Sequence, residues 1–178
     1  MAPSSLPALS RLNIDYLSTT PHGWSFQDSH AAPLSRPNLG PDQLIPAFFQ
    51  ATAGGLDQLM RLRDAIVAPL GLKAIGTDRE ALRFPPFPVG QRIGLFRIIA
   101  SDADEVVLGE DDRHLDFRIS ILVERAARTG AAQDRLNVST IVRPHNLWGH
   151  VYLAVVLPVH RLLVPRSVRR MARLLDAQ

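Results

Sequence analysis

Residues 109–124, GEDDRHLDFRISILVE, set the strongest constraint on the fold of this chain. Leu115, Phe117, Ile119, Ile121 and Val123 fall on one side of an extended chain, and His114, Asp116, Arg118 and Ser120 on the other. A strand with one apolar and one polar face belongs in an antiparallel sheet that is covered on a single side. The polar row carries a base, an acid and a guanidinium, so it is either the equipment of a site or the solvated face of the sheet.

The neighbouring segments extend this reading. Residues 92–99, 104–109 and 113–124 are expected as strands, the last two joined as a hairpin through Glu110, Asp111 and Asp112. Residues 135–143 form a fourth, in which Leu136, Val138, Thr140 and Val142 oppose Asn137 and Ser139. Before them, 41–50 suit a short helix that opens on Pro41 and Asp42. Gly54-Gly55 then breaks the chain. A second helix over 56–69 rests on the spacing of Leu56, Leu59, Met60, Leu62, Ile66 and Val67. Pro85, Pro86 and Pro88 exclude a central strand at 84–90, which must be an edge or a loop. Asn146 is an N-cap for a helix from Leu147 that kinks at Pro158 and continues to Leu175. Residues 1–40 are an irregular N-terminal segment, a first strand or a lid, with weak strand signals at 13–17 and 24–27. The remainder, 41–178, is one domain.

Composition narrows the function. The 178 residues include no cysteine, which excludes thiolate metal sites, iron–sulfur clusters and thiol nucleophiles, and fits a cytoplasmic setting. The start, MAPSSLPALSRLNI, does not read as a signal peptide. The longest apolar run, 151–164, is interrupted by Pro158, His160 and Arg161 and is shorter than the roughly 20 residues of a spanning helix, so no membrane span is expected. Net charge is +3, and Lys73 is the only lysine among the 20 basic residues. No tract interleaves aromatic with basic residues, which tells against nucleic acid. Arg166, Arg169, Arg170 and Arg173 gather on one side of the last helix, either as a solvated face or as a surface for an acidic partner.

The segments LMRLRDAIVAPLGL at 59–72, GQRIGLFRI at 90–98, EVVLGEDDRHLDFRISILVE at 105–124 and STIVRPHNLWGHVYLAVVLPVHRLLV at 139–164 add a resemblance. Together they are similar to an uncharacterised bacterial domain family of unknown function, found alone and also fused behind short-chain-dehydrogenase-like domains. That family looks like a member of the Bet v 1-like, or START-like (SRPBCC), superfamily. The resemblance implies an α+β helix-grip fold: a curved antiparallel sheet around a long C-terminal helix, with two short helices after the first strand. No glycine-rich dinucleotide motif is present in this chain, so no cofactor is implied.

Such a fold implies a cavity between sheet and helix. Its expected walls are Leu115, Phe117, Ile119, Val138, Thr140 and Val142 with Val151 and Val155 of the helix, although a closed core would use the same residues. Two clusters could act there. His114, Asp116 and Arg118 combine proton transfer, orientation and anion binding, but they face away from the helix if Phe117 and Ile119 face it. Arg143, His145 and Asn146, with Trp148, His150 and Tyr152 beyond, sit where the last strand enters the helix, and capping explains them equally well. His160 is expected to be structural. The six histidines are scattered, so no metal site is expected.

The sequence therefore points to a domain that binds a small, mainly hydrophobic molecule. The candidate ligand contacts are Phe117, Arg118, Ile119, Thr140, Arg143, Asn146, Trp148 and Tyr152. The alternative is a cofactor-free cyclase, isomerase or dehydratase with His114, Asp116 and His145 as its acid–base set. A protein-interaction role for the arginine-rich helix, through Arg169 and Arg170, ranks behind both. The residues leave the oligomeric state open, a homodimer included.

Overall fold

A computed structural model of the chain describes residues 26–67, 82 and 85–178, and of 56–67 the backbone alone. In chain order the elements are β1 (Phe26–Pro33), α1 (Pro41–Val67), β2 (Arg92–Ile93), β3 (Phe96–Ser101), β4 (Glu105–Asp111), β5 (Leu115–Glu124), α2 (Ala126–Thr129), β6 (Arg135–Pro144) and α3 (Leu147–Asp176). The six strands make one antiparallel sheet in the order β1-β6-β5-β4-β3-β2. The protein is thus α+β, with the meander β2 to β6 closed at one edge by β1.

Pairing of β5 with both neighbours carries its alternation across the sheet. Leu108 lies opposite Ile119 and Val106 opposite Ile121, while Val138 and Leu136 lie opposite Ile121 and Val123. These side chains form one core with Leu44, Ile45, Phe48 and Phe49 of α1 and Val168, Met171 and Leu175 of α3, so both helices cover the same face. Full burial of each such side chain contributes about 1.5–3 kcal/mol relative to leaving it in water. Phe96 meets Phe48, Phe49 and Phe117 edge-on at ring separations of 5.5–5.8 Å, the geometry that aromatic quadrupoles favour.

The ends of both long helices are fixed locally. Pro41 opens α1 where a missing N–H costs nothing, and the Gln43 side chain accepts from the Gly40 N–H at 3.0 Å, as in a capping box. Asn146 caps α3 by accepting from the Gly149 N–H at 3.1 Å. At its other end, Asp176 accepts from the backbone of Ser35 and Arg36 at 2.9 and 3.0 Å, which ties α3 to the chain leaving β1. Arg125 joins four segments at the same end of the sheet. It donates to Asp104 at 2.7 Å, Asp134 at 3.1 Å and the Leu39 carbonyl at 2.7 Å, and it sits at the end of β5. Burial works against its charge, but the two carboxylates outweigh that and raise its pKa further.

Several expectations change. Instead of two short helices after the first strand there is one 27-residue helix that runs through Gly54-Gly55. Gly55 faces α3, where an added Cβ would stand 3.0 Å from Leu163 Cδ1. Close helix–helix contact there compensates the poor helix propensity of glycine. The strand expected at 92–99 is divided by a turn at Gly94, whose φ is +59°, into β2 and β3. The first strand is Phe26–Pro33, later and longer than the weak 24–27 signal, and it pairs with β6 along all eight residues. The 13–17 signal lies outside the described residues. The proline-rich stretch is irregular from Pro85, as its prolines require, with Phe87 buried in the core.

The C-terminal helix continues through Pro158 and Pro165 as 30 residues, and by length and composition one window of it would suffice to cross a membrane. Its second half cannot leave the protein without opening the core, because Val168, Met171, Ala172 and Leu175 are buried there.

Glycine substitutions test this packing. An added Cβ at Gly149 would collide with the His114 carbonyl oxygen, whereas at Gly54, inside α1, it meets nothing within 4 Å. Gly149→Ala is expected to destabilise by about 1–3 kcal/mol and Gly54→Ala to stabilise by about 0.5–1 kcal/mol. Urea denaturation of the two variants checks both signs.

Candidate functional site

A cavity of about 110 Å³ lies between the sheet and the two long helices. From the sheet it is lined by Phe96, Ile119, Val138 and Thr140, and from α1 by Phe48, Ala51, Thr52 and Gly55. α3 contributes His160, Leu163, Val164, Ser167, Val168 and Met171. The wall is almost wholly apolar. Thr52 already donates to the Phe48 carbonyl at 2.7 Å, as a helical threonine does. That leaves Thr140, Ser167 and His160 as the polar points.

His160 belongs to a polar corner built across three elements. Phe26, Asp28, His30 and Ala32 of β1 share the helix-facing side of the sheet, because their β6 partners are Val142, Thr140, Val138 and Leu136. Asp28 therefore stands beside Thr140 and beneath α3. His30 Nε2 lies 3.3 Å from Asp28 Oδ2 in hydrogen-bond geometry. His160 Nδ1 lies 3.3 Å from the same oxygen without such geometry, and the His160 ring meets Phe26 edge-on at 5.4 Å. Asp28 Oδ1 and His160 Nδ1 are both buried, with no hydrogen-bond partner among the described residues. Buried polar atoms are normally satisfied; of these two residues His160 lines the cavity, and Asp28, outside the lining, contacts it from β1.

The sequence-derived candidates divide between this cavity and the opposite face. Ile119 and Thr140 line the cavity, and Phe117 packs against Phe96 on the same side of the sheet. Asp116 and Arg118 project from the other side. Asp116 pairs with Arg143 at 2.8 Å and His145 at 2.9 Å. Arg118 pairs with Asp111 at 2.6 Å and donates to the backbone carbonyls of Phe117 and Glu110. Its stem lies flat against Gly109, where any Cβ would strike the Phe117 carbonyl and the arginine itself.

His114 joins neither acid. Its ring contacts Arg113 Nε at 2.8 Å and the Asn146 amide at 3.1–3.3 Å, in the corner where the β4–β5 turn meets the start of α3. Trp148 is half exposed, and Tyr152 is half-buried. Val151 and Val155, expected as cavity walls, are exposed instead, because the first turns of α3 turn that side away from the sheet. The charged row faces away from the helices, as the alternation requires. It is not the solvated ladder expected, however, because Asp116, Arg118, Ser120, Glu105 and Asn137 are all buried.

The geometry at Asp116 is that of a structural ion pair. Burial raises the pKa of its carboxyl, but hydrogen bonds and charge from His145 and Arg143 outweigh burial and hold it below the ordinary value of 3.8. Asp134 is lowered as well, first by the Ala126 N–H and then, against a smaller effect of burial, by Arg125. A carboxyl depressed in the folded state contributes stability that is complete above its ordinary pKa and is lost as pH falls through the folded value. Acid unfolding is therefore expected to draw on both groups below about pH 4. Asp116→Asn should flatten that part of the stability–pH curve, as followed by circular dichroism.

Among the described residues no group of three or more His, Asp and Glu side chains could hold a metal ion. The polar corner went unread in the sequence because its members come from both ends of the described chain, and FQDSHAAP has no apolar alternation to mark it as a strand. The signal lies in register: once β1 is aligned with β6, an aspartate and a histidine fall on core-facing positions.

Fold and cavity together define an α+β domain in which one antiparallel sheet and a long C-terminal helix enclose a small apolar space. The chain belongs to a family described as "Protein of unknown function (DUF2867)", whose model matches residues 20–167. No curated protein and no solved structure matches it.

Proposed function

We propose that the protein binds a small, mainly apolar molecule in the cavity between the sheet, α1 and α3, with the molecule's polar group held at His160 and Asp28. The observation that supports this is an apolar cavity with His160 on its wall, whose Nδ1, like Oδ1 of the Asp28 that it contacts, is buried without a hydrogen bond. The size of the space limits the ligand. Drug-sized pockets run to about 300–1,000 Å³, whereas an apolar cavity of about 150 Å³ accepts benzene. At about 110 Å³ the enclosed part suits a ring or a short branched chain, with any larger portion emerging between the helices. A carboxylate oxygen accepts, so Asp28 Oδ1 suits a hydroxyl or N–H of the ligand. Thr140 and Ser167 can serve either as donors or as acceptors.

The sheet-and-helix arrangement is compatible with the helix-grip architecture of the Bet v 1-like superfamily, whose interior is a binding space, and the proposal takes that finer fold as its frame. A second reading, cofactor-free acid–base catalysis, rests on the same corner. A histidine beside a carboxylate can pass a proton to or from an enclosed ligand. It would use His160, which lines the cavity, with Asp28 in contact behind it, whereas Asp116 and His145 pair on the opposite face of the sheet.

Gentle native mass spectrometry, followed by extraction and identification of what travels with the protein, tests the proposal. A stoichiometric small apolar compound is expected, and it should be lost from Ala51→Phe, which fills the cavity. His160→Asn should weaken its retention by about tenfold, the worth of one hydrogen bond to a buried group. A bare mass together with unchanged behaviour of both variants toward added small aromatic alcohols would contradict it.

A further inference from the structure

The first half of α3 carries apolar side chains that no described residue covers. Leu147 is 75% exposed, Leu162 57% and Trp148 53%, with Val151 and Val155 exposed beside them. At 100° per residue these five fall within one side of the helix, opposite the buried Val156, Val168, Met171 and Leu175. The stripe runs roughly 22 Å along the axis at 1.5 Å per residue. Soluble proteins rarely leave a contiguous apolar surface of this kind without a partner.

The same side of α3 changes character towards its C-terminus. Arg166, Arg169, Arg170 and Arg173 are all exposed and continue the line of the apolar residues, with exposed Arg161 alongside. The only carboxylate on the helix is Asp176, which is engaged by the backbone of Ser35 and Arg36. The surface is therefore apolar at one end and strongly cationic at the other. The same face of a second copy would offer the arginine end no carboxylate, in either a parallel or an antiparallel pairing. A layer that offers both hydrocarbon and negative charge matches both halves at once.

We propose that this face of α3 docks on an anionic lipid bilayer, with Trp148, Val151, Val155 and Leu162 entering the headgroup boundary and Arg166, Arg169, Arg170 and Arg173 meeting lipid phosphates. The helix lies in the plane of the interface and does not cross it, because its opposite side is part of the protein core. Apolar burial combined with arginine attraction to anionic headgroups is the general basis of such surface binding.

The test uses the full chain with Trp24→Phe, so that Trp148 is the sole tryptophan, and vesicles of phosphatidylcholine with or without phosphatidylglycerol. The expected result is a blue shift of Trp148 emission with the anionic vesicles and co-sedimentation that weakens with added salt. Arg169→Glu with Arg170→Glu should weaken binding roughly tenfold or more. Val151→Asp with Leu162→Asp should abolish the emission shift while the far-ultraviolet circular dichroism stays unchanged. Absence of binding would overturn the proposal, as would binding indifferent to both double variants. So would a dimer by light scattering in which Trp148 is already shielded without lipid.

Discussion

The alternation of β5 between β4 and β6 is the constraint from which the rest of the structure follows. Hydrogen-bonded on both sides, the strand sends Phe117, Ile119, Ile121 and Val123 toward the helices and Asp116, Arg118 and Ser120 the other way. A shift of one residue would exchange the two sets and place a carboxylate and a guanidinium in the core, at a cost of several kcal/mol for each unpaired charge. The register is held at both ends by polar contacts. Arg125 gathers Asp104, Asp134 and the Leu39 carbonyl at one end, and at the other His145 N–H donates to the His114 carbonyl at 2.8 Å.

With that face fixed, the helices decide where space remains. Gly55 lets α1 approach Leu163 of α3, and the phenylalanines of α1 and β3 fill the sheet side of their junction. The cavity remains where Ala51, Thr52 and Ser167 are too small to close it. Placing Asp28 and His30 on the core-facing side of β1 costs stability that an apolar pair would not. Local rules of packing are broken there, and the proposed ligand contact at His160 and Asp28 is the reason we offer for it. The opposite face uses its charges in short ion pairs that hold strands together, Arg118 with Asp111 and Asp116 with Arg143.

How much could be read beforehand followed from how local each signal was. Strands β4, β5 and β6 were legible to within two residues because their alternation is carried by contiguous residues, and Asn146 and Pro41 announced their helix starts by cap chemistry. The break expected at Gly54-Gly55 did not occur, because propensity yields to packing wherever a glycine allows two helices to meet. β1 could not be placed from FQDSHAAP alone, since it is an edge strand specified by its ladder to β6. The site was legible in part for the same reason. Ile119 and Thr140 were named through strand alternation, whereas Asp28 and His160 meet only after β1 has paired and α3 has crossed the sheet. The arginines of α3 were visible in the sequence, but the exposed apolar stripe in line with them depends on knowing which side of the helix the core takes.

The central claim is that an open, apolar, ligand-accepting space lies beneath α1 and α3, and diffraction from a crystal pressurised with xenon addresses it most directly. Xenon enters dry apolar cavities of this kind without needing the native ligand. A xenon peak enclosed by Phe48, Phe96, Ile119, Val138 and Met171 is the expected result. Its absence, with those side chains closed on one another, would show that the space is filled core and would contradict the account.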